Sequence, residues 1–329
     1  MRSRAFLSSA VLTGLLSLIG SVLVLPPAVL AQGGPTVLMS APEPLDPAVP
    51  VLRTDVNLVL VPVTVTDELD RPILGLEGKD FLLFDEKQPQ RIEYFFEEDA
   101  PMSIGLVLDF SGSMQPKMDA LRESVRQFFN NANPDDDYYV VAVSTNPKVI
   151  ARGSQSLHEI EAALSNEQPV GWTSLMDAVD LTLRIMKNSR YSRRALVIVS
   201  DGGENDSHLS SSHVVKEVEE SNADVYAVAI FDEPLLFMKP LEEKLGKRLL
   251  TRLTDVTGGR TISVDNAAKV PKTFADLSRE MRSQYILGYH PSELKHDGHW
   301  RKVKVELATP LRNAQVQTYF KKGYFDPQN

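Results

Sequence analysis

The stretch Ile104-Gly105-Leu106-Val107-Leu108-Asp109-Phe110-Ser111-Gly112-Ser113 decides the fold, because an apolar run passes directly into a group of polar oxygens. An unbroken apolar run of this length is typical of a strand that is buried on both faces of a parallel sheet. Asp109, Ser111 and Ser113 follow at alternate positions, so their side-chain oxygens can turn toward one point. Hydroxyl and carboxylate oxygens are the ligands that Mg²⁺ and similar hard cations prefer.

Two later loops carry further oxygen donors. Thr173 lies in Gly171-Trp172-Thr173-Ser174, just before an apolar helical pattern, and Asp201 follows the apolar run 195–199. Because the carboxyl ends of parallel strands meet at one edge of a sheet, we expect the three loops to lie together. Taken singly, each loop is also compatible with a plain turn or a helix cap.

In this order, the three loops resemble the metal-ion-dependent adhesion site of von Willebrand factor type A domains. The resemblance covers residues 102–282 and implies an α/β fold with a doubly wound, mostly parallel, Rossmann-like sheet. It also implies a bound divalent cation, Mg²⁺ with Mn²⁺ or Ca²⁺ as alternatives, held by five residues: Asp109, Ser111, Ser113, Thr173 and Asp201. The flanking stretches 284–289 and 322–325 resemble a group of exported bacterial proteins that carry a related domain.

Changes in sequence pattern divide the rest of the chain. Residues 1–31 have the charged, apolar and small-residue segments of a cleaved signal peptide, with an uncleaved membrane anchor as the alternative. A proline-rich linker follows at 32–52. Alternating apolar and polar residues predict β regions at 53–100 and 284–325, on either side of the α/β domain at 102–282. We expect these two regions to meet in one smaller, all-β, sandwich-like unit.

The composition excludes several classes of function. The chain has 329 residues, with 35 Lys and Arg against 44 Asp and Glu. Loss of residues 1–31 would remove Arg2 and Arg4 and change the net charge from −9 to −11, since 33 − 44 = −11. Nucleic acids and anionic membranes select basic surfaces, so neither is an expected partner. The absence of cysteine excludes disulfides, thiol catalysis and zinc–thiolate sites.

Several charged residues outside the three motifs are interpreted as ordinary surface. Arg193 and Arg194, like Lys321 and Lys322, are expected to be surface charges, and 204–206 is expected to be a solvated loop. After cleavage of the signal peptide, no stable membrane span is expected. The protein would then be periplasmic, attached to the cell surface or secreted.

Three functions are compatible with these residues. The leading hypothesis is a non-enzymatic exported adhesion module, in which an under-neutralised cation captures an Asp or Glu carboxylate of a protein ligand. The second is a Mg²⁺-dependent hydrolase or phosphatase-like enzyme with Asp109 as nucleophile. Such an enzyme needs a second carboxylate for acid–base catalysis where this chain has Ser111, and this disfavours it. The third is a scaffold whose metal site is vestigial.

Overall fold

The computed structural model describes residues 58–68, 71–231, 241–293, 295–308 and 315–326. The predicted signal peptide and the proline-rich linker therefore lie outside the described residues. Within the described ranges, every helix is too short or too polar to cross a membrane.

The described part of the chain forms strands and helices whose bounds are as follows. The strands are β1 (Val59–Asp67), β2 (Phe81–Asp85), β3 (Gln88–Gln90), β4 (Tyr94–Glu98), β5 (Ser103–Asp109), β6 (Asp137–Val143), β7 (Lys148–Gly153), β8 (Arg194–Ser200), β9 (Ala223–Ile230), β10 (Thr261–Val264), β11 (Gln284–Tyr289), β12 (Trp300–Leu307), β13 (Val316–Phe320) and β14 (Gly323–Phe325). The helices are α1 (Met118–Phe129), α2 (Leu157–Asn166), α3 (Leu175–Met186), α4 (Ser211–Glu220), α5 (Leu241–Thr254) and α6 (Val270–Arg282), with short 3₁₀ turns at Gly78–Asp80, Gly112–Lys117 and Ala267–Lys269.

The larger region is built on a six-stranded sheet with the order β10-β9-β8-β5-β6-β7. All neighbouring strands are parallel except β7, which pairs antiparallel with β6. Strand β5 lies between β8 and β6, because the chain continues from β5 to β6 and β7 on one side and then crosses back to form β8 on the other. Its seven residues are all buried, because helices cover both faces. The carboxyl end of β5 is therefore the place where an open α/β sheet positions a ligand.

Two helical layers cover this sheet, each with its own apolar core. Helices α1 and α6 pack on one face through residues such as Leu121, Phe128 and Phe274, joined by Ile160 and Leu164 of α2. Helices α3, α4 and α5 cover the other face, where the buried side chains include Val179, Val218, Leu250 and Leu253. Both layers hold the central strands in a dry environment, so polar groups are confined to the strand ends.

The smaller region is a β sandwich made from both ends of the described chain. One sheet has the order β13-β1-β11-β4 and the other β14-β12-β2-β3. Their inner faces share one core, to which Val63, Leu83, Tyr285 and Val305 contribute. The prediction that the N-terminal and C-terminal β regions meet in one unit, beside a mostly parallel α/β sheet, is confirmed. The limits 53–100, 102–282 and 284–325 stay predictions, and the observed elements lie inside them.

A polar junction joins the two regions at the amino ends of the parallel strands. Arg193 donates hydrogen bonds to the carbonyl of Ala100 (3.3 Å) and to Oε1 of Gln284 (3.1 Å). The ammonium of Lys321 donates to Oδ1 of Asn222 (2.8 Å). The prediction that Arg193 and Lys321 are ordinary surface charges is therefore wrong. Both are partly buried, because the β region packs against this end of the α/β domain.

Candidate metal site

Asp109 ends strand β5 with a fully buried side chain. One carboxylate oxygen accepts the backbone N–H of Ser111 (2.9 Å), and the other accepts the hydroxyl of Ser200 at the end of the neighbouring strand β8 (2.6 Å). These two hydrogen bonds hold the carboxylate in one orientation at the sheet edge. The Ser200 hydroxyl also accepts the N–H of Gly202 (3.0 Å). Ser200 therefore connects Asp109 at the end of β5 with the loop that follows β8.

The two serines of the first motif lie side by side. Ser111 precedes the 3₁₀ turn Gly112–Lys117 and is buried, whereas Ser113 is exposed, and their Oγ atoms are 3.2 Å apart. Neighbouring ligands of an octahedral Mg²⁺ are about 3.0 Å apart, which follows from metal–oxygen distances of about 2.1 Å. The spacing of the two hydroxyls therefore suits adjacent positions around one small cation.

A crossing segment brings Thr173 to the same edge. The carbonyl of Phe110 accepts the N–H of Val170 (2.9 Å), and the N–H of Gly112 donates to the carbonyl of Gly171 (3.1 Å). Thr173 is buried, and its own N–H donates to Oδ1 of Asn205 (2.9 Å). Backbone hydrogen bonds thus tie this segment to the loops after β5 and β8.

Thr173 and Asp201 border one small space beside Gly203. A Cβ atom added to Gly203 would lie 3.1 Å from Oγ1 of Thr173 and 3.2 Å from Oδ1 of Asp201. That space stays open only because residue 203 has no side chain. The N–H of Gly203 donates to the same Asp201 oxygen (3.1 Å), which orients the carboxylate. We call Asp109, Ser111, Ser113, Thr173 and Asp201 the edge site.

A buried lysine also belongs to this edge. The ammonium of Lys117 lies 3.5 Å from Oδ2 of Asp201, and the two side chains are only 5% and 15% exposed. Lys117 ends the 3₁₀ turn that begins directly after Ser111. From its position before an amphipathic helix, the sequence marks it only as another surface lysine. The structure instead places its charge next to a predicted metal ligand.

Burial controls the electrostatics of Asp109. Desolvation raises the pKa of this carboxyl to about 6, and the nearby Asp201 carboxylate acts in the same direction, while hydrogen bonds from Ser111 and Ser200 lower it. A carboxylate held in a dry environment gains much from a cation placed beside it. Asp109 thus has the properties expected of a residue that faces a positive charge.

The donor set fits a hard divalent cation with part of its coordination left open. Within the ranges that the structure describes, no three His, Cys, Asp or Glu side chains form a group that could bind a metal ion. The edge site has two carboxylates and three hydroxyls, all with oxygen donors, as Mg²⁺, Mn²⁺ and Ca²⁺ prefer. The charges of Asp109, Asp201 and Lys117 add to −1. A divalent cation would change this sum to +1, and one further carboxylate would bring it to zero.

Glu204 and Asn205 brace the Thr173 segment, whereas the sequence predicts a solvated loop at these positions. Oε2 of Glu204 accepts the N–H of Met176 (3.0 Å) and the hydroxyl of Ser207 (2.8 Å). Asn205 is exposed, yet it exchanges two hydrogen bonds with Thr173 through its side chain and its backbone N–H. In the sequence, Glu204 and Asn205 directly follow Ser200-Asp201-Gly202-Gly203. Polar side chains at this place after a strand can reach a neighbouring loop, and this is the signal that could have indicated their contact with the Thr173 segment.

Residues 104–204 match the family model of the von Willebrand factor type A domain. The matched stretch begins in β5 and ends just after Asp201, so it contains all five residues of the edge site. A comparison with curated proteins found no significant match.

Several solved structures are similar to this chain in fold. A von Willebrand factor type A protein from Catenulispora acidiphila is 11% identical, with 82% of this chain and 72% of that chain covered and a TM-score of 0.47. An aerotolerance-related membrane protein from Bacteroides fragilis is 15% identical, with coverages of 55% and 98% and a TM-score of 0.44. The protein BatB from Bacteroides thetaiotaomicron is also 15% identical, with coverages of 55% and 100% and a TM-score of 0.43.

Proposed function

From the match of residues 104–204 to the von Willebrand factor type A domain, we propose that the chain acts outside the cytoplasm as a non-enzymatic protein-binding module. A domain of this type supports a role in protein interaction. The finer proposal is that the edge site holds a divalent cation and captures an Asp or Glu side chain of a protein ligand. The signal-peptide pattern of residues 1–31 supports export.

One observation supports the proposal: the three loops that carry these oxygen donors are hydrogen-bonded to one another at the carboxyl ends of β5 and β8. Ser111 and Ser113 have hydroxyls 3.2 Å apart, and Thr173 and Asp201 border the gap beside Gly203. The carboxylate of Asp109, at the end of β5, accepts hydrogen bonds from Ser111 and Ser200. When bound, the cation would supply an open coordination position for a carboxylate oxygen of the ligand.

The residues of this chain prepare the site in three ways. Burial of Asp109 excludes water from one side and makes a nearby positive charge favourable. Lys117 balances part of the carboxylate charge, which leaves the loaded site with an excess of positive charge that favours an acidic ligand. Trp172 is 64% exposed beside Thr173, where it can form part of the contact with a partner.

A metal titration with a matched pair of variants tests this function. Calorimetry with MnCl₂ and MgCl₂ should show one site in the unmodified protein and none in Asp109→Ala, while Asp119→Ala, an exposed aspartate on α1, should bind as before. Circular dichroism should show that Asp109→Ala remains folded. Immobilised protein should retain a partner from extract in Mg²⁺ and release it in EDTA. Absence of metal uptake by the unmodified protein, or retention of the partner in EDTA, would contradict the proposal.

A further inference from the structure

The outer surface of the β sandwich contains an apolar groove of about 690 Å³. Three partly buried aromatic side chains form its floor: Phe84 of β2, Trp300 of β12 and Phe320 of β13. The Trp300 ring packs edge-on against Phe325, with ring centroids 4.9 Å apart, so the floor has a defined shape. Grooves of this volume and composition commonly receive a ligand.

Lysine side chains surround this floor. Lys87, Lys302 and Lys322 line the groove, are exposed, and make no ion pair among the residues that the structure describes. Lys304 also lines it and pairs with Glu306 (2.7 Å), which is the one carboxylate among the described lining residues. We call Phe84, Lys87, Trp300, Lys302, Phe320 and Lys322 the lysine groove.

The local charge is opposite to that of the whole chain. Asp and Glu outnumber Lys and Arg by 44 to 35, and exposed lysines elsewhere, such as Lys216 with Glu220 and Lys272 with Asp276, lie beside carboxylates. Three unpaired ammonium groups around an apolar floor are therefore a local concentration of positive charge. Complementarity requires an occupant with both carboxylates and apolar groups.

The spacing of these groups favours a peptide over a lipid. Trp300, Lys302 and Lys304 alternate along one face of β12, where side chains two residues apart are separated by roughly 6.6 to 6.8 Å. An extended peptide has the same repeat, so alternate carboxylates and aromatic rings would match it. The lysines also come from separate elements, β12 and the turns beside β2 and β13. A single bound lipid presents one headgroup, whereas an extended peptide can present several carboxylates at the spacing of the lysines.

From these observations we infer that the lysine groove binds an acidic, aromatic peptide segment of a partner protein. The aromatic rings cover Phe84, Trp300 and Phe320, and the carboxylates pair with Lys87, Lys302 and Lys322. This binding needs no metal and does not rest on the proposed role of the edge site. It adds a second recognition surface to the protein.

Trp300 can report on its own groove, because Trp172 is the other tryptophan of the chain. In the full-length Trp172→Phe protein with EDTA present, titration with the ten-residue peptide Glu-Glu-Phe-Phe-Glu-Glu-Phe-Phe-Glu-Glu, in which each face of the extended chain carries both Glu and Phe, should shift the Trp300 emission and saturate. The same peptide with Gln in place of Glu should bind at least tenfold more weakly. Saturable binding of both peptides with equal affinity would overturn the inference, since charge would then play no part.

Charge-reversal variants complete the test. Lys302→Glu combined with Lys322→Glu should weaken peptide binding at least tenfold, whereas Lys216→Glu, a reversal on the exposed face of α4, should leave it unchanged. Circular dichroism melts check that each variant is folded. The same proteins are also titrated with vesicles of phosphatidylglycerol, to compare a membrane surface with the peptide. A lysine-dependent response to vesicles without a response to the peptide would overturn the inference in favour of a membrane surface, and no response to either would overturn it outright.

Discussion

The edge site and the lysine groove differ in how their polar atoms are held. Asp109 is buried and accepts two hydrogen bonds, so its oxygens have little freedom. Lys302 and Lys322 are exposed and form no ion pair with any residue in the described part of the chain, so their ammonium groups can move. A small ion needs ligands at nearly fixed distances, whereas a peptide tolerates mobile charges around an apolar floor. The first surface is therefore suited to one ion and the second to a family of related sequences.

The two surfaces also lie at different ends of the α/β domain. The edge site is at the carboxyl end of β5, but the β sandwich is connected to the domain at the amino end of β5 and at the end of α6. Helices that alternate with parallel strands run in the opposite direction, so both connections lie at the edge remote from Asp109. The two surfaces are thus far enough apart to bind separately, and the junction between them determines whether they behave as one body.

The largest expected effect is at this junction. Arg260 and Glu280 form a buried, two-pronged ion pair with distances of 3.0 and 2.9 Å, and the Arg260 guanidinium lies over the Tyr319 ring of the β sandwich. Glu280→Ala would remove the carboxylate from this buried pair and should lower the free energy of unfolding by about 3 to 5 kcal/mol. Chemical denaturation measures this, with Glu220→Ala as the exposed control that should change it by less than about 0.5 kcal/mol.

If Glu280→Ala separates one unfolding transition into two, the junction couples the regions that carry the two surfaces. A single transition with an unchanged midpoint would show that the Arg260 pair contributes little to stability. That result would contradict a coupling role for the junction.

The next effect concerns the burial of Asp109. Its pKa is raised from 3.8 to about 6, so the unfolded chain releases this proton at lower pH than the folded, metal-free chain. Ionisation therefore costs the folded state stability, which is progressively lost as pH rises from about 4 through 6 and stays lost at pH 7. Asp109→Asn should raise the free energy of unfolding in EDTA at pH 7.5 by about 3 kcal/mol, and the gain should disappear toward pH 4.

Thermal melts of the two proteins across this pH range measure the difference. Asp109→Asn should also abolish metal binding and leave peptide binding in the lysine groove unchanged. That result would show that the two surfaces bind their ligands independently. A loss of stability in EDTA would mean that the hydrogen bonds of Asp109 outweigh its desolvation.

A smaller effect is expected at Lys117. Its ammonium lies 3.5 Å from Asp201 and repels any cation in the edge site. Lys117→Met should therefore tighten Mn²⁺ binding roughly tenfold, since removal of one buried charge at this range is worth about 1.4 kcal/mol or more. Calorimetry compares Lys117→Met with Lys216→Met, whose Mn²⁺ affinity should equal that of the unmodified protein. Metal affinity that is equal or weaker in Lys117→Met would show that the lysine supports the loop rather than opposes the ion.

The smallest effect is expected at Gly203. A Cβ there would lie 3.1 Å from Thr173 Oγ1 and 3.2 Å from Asp201 Oδ1, which requires shifts of a few tenths of an ångström. Gly203→Ala should weaken Mn²⁺ binding by a few fold with little change in melting temperature. Gly153→Ala provides a contrast, because that glycine has φ 72° and an added Cβ would meet only the Tyr139 hydroxyl, at 4.0 Å. It should cost stability through backbone strain without affecting the metal. The prediction fails if Gly203→Ala binds metal as the unmodified protein does.

The sequence predicted most of the α/β domain because its signals are local. The apolar runs 104–108 and 195–199 correspond to β5 and β8 within one residue at each end. Strand β7 was not predicted, since its burial is mixed and an antiparallel edge strand lacks the continuous apolar run of a central one. The Asp109 and Asp201 motifs were recognisable because each follows its strand directly.

Residues whose roles depend on distant partners were not predicted. Lys117 resembles any lysine that precedes an amphipathic helix, and only its approach to Asp201, far away in sequence, gives it a different role. Arg193 likewise acts through contacts with Ala100 and Gln284. In the lysine groove, β2, β12 and β13 each contribute one aromatic residue, so no short motif reveals the surface.

The sequence by itself determined the central strands of the parallel sheet and the oxygen-rich loops at their ends, because hydrophobic periodicity and turn residues act over a few neighbouring positions. The tertiary structure alone decided which charges are buried, which are paired and which surround an apolar groove. Burial and electrostatic interaction depend on distances in space, and the fold sets these by bringing Lys117 to Asp201 and Lys302 to Lys322.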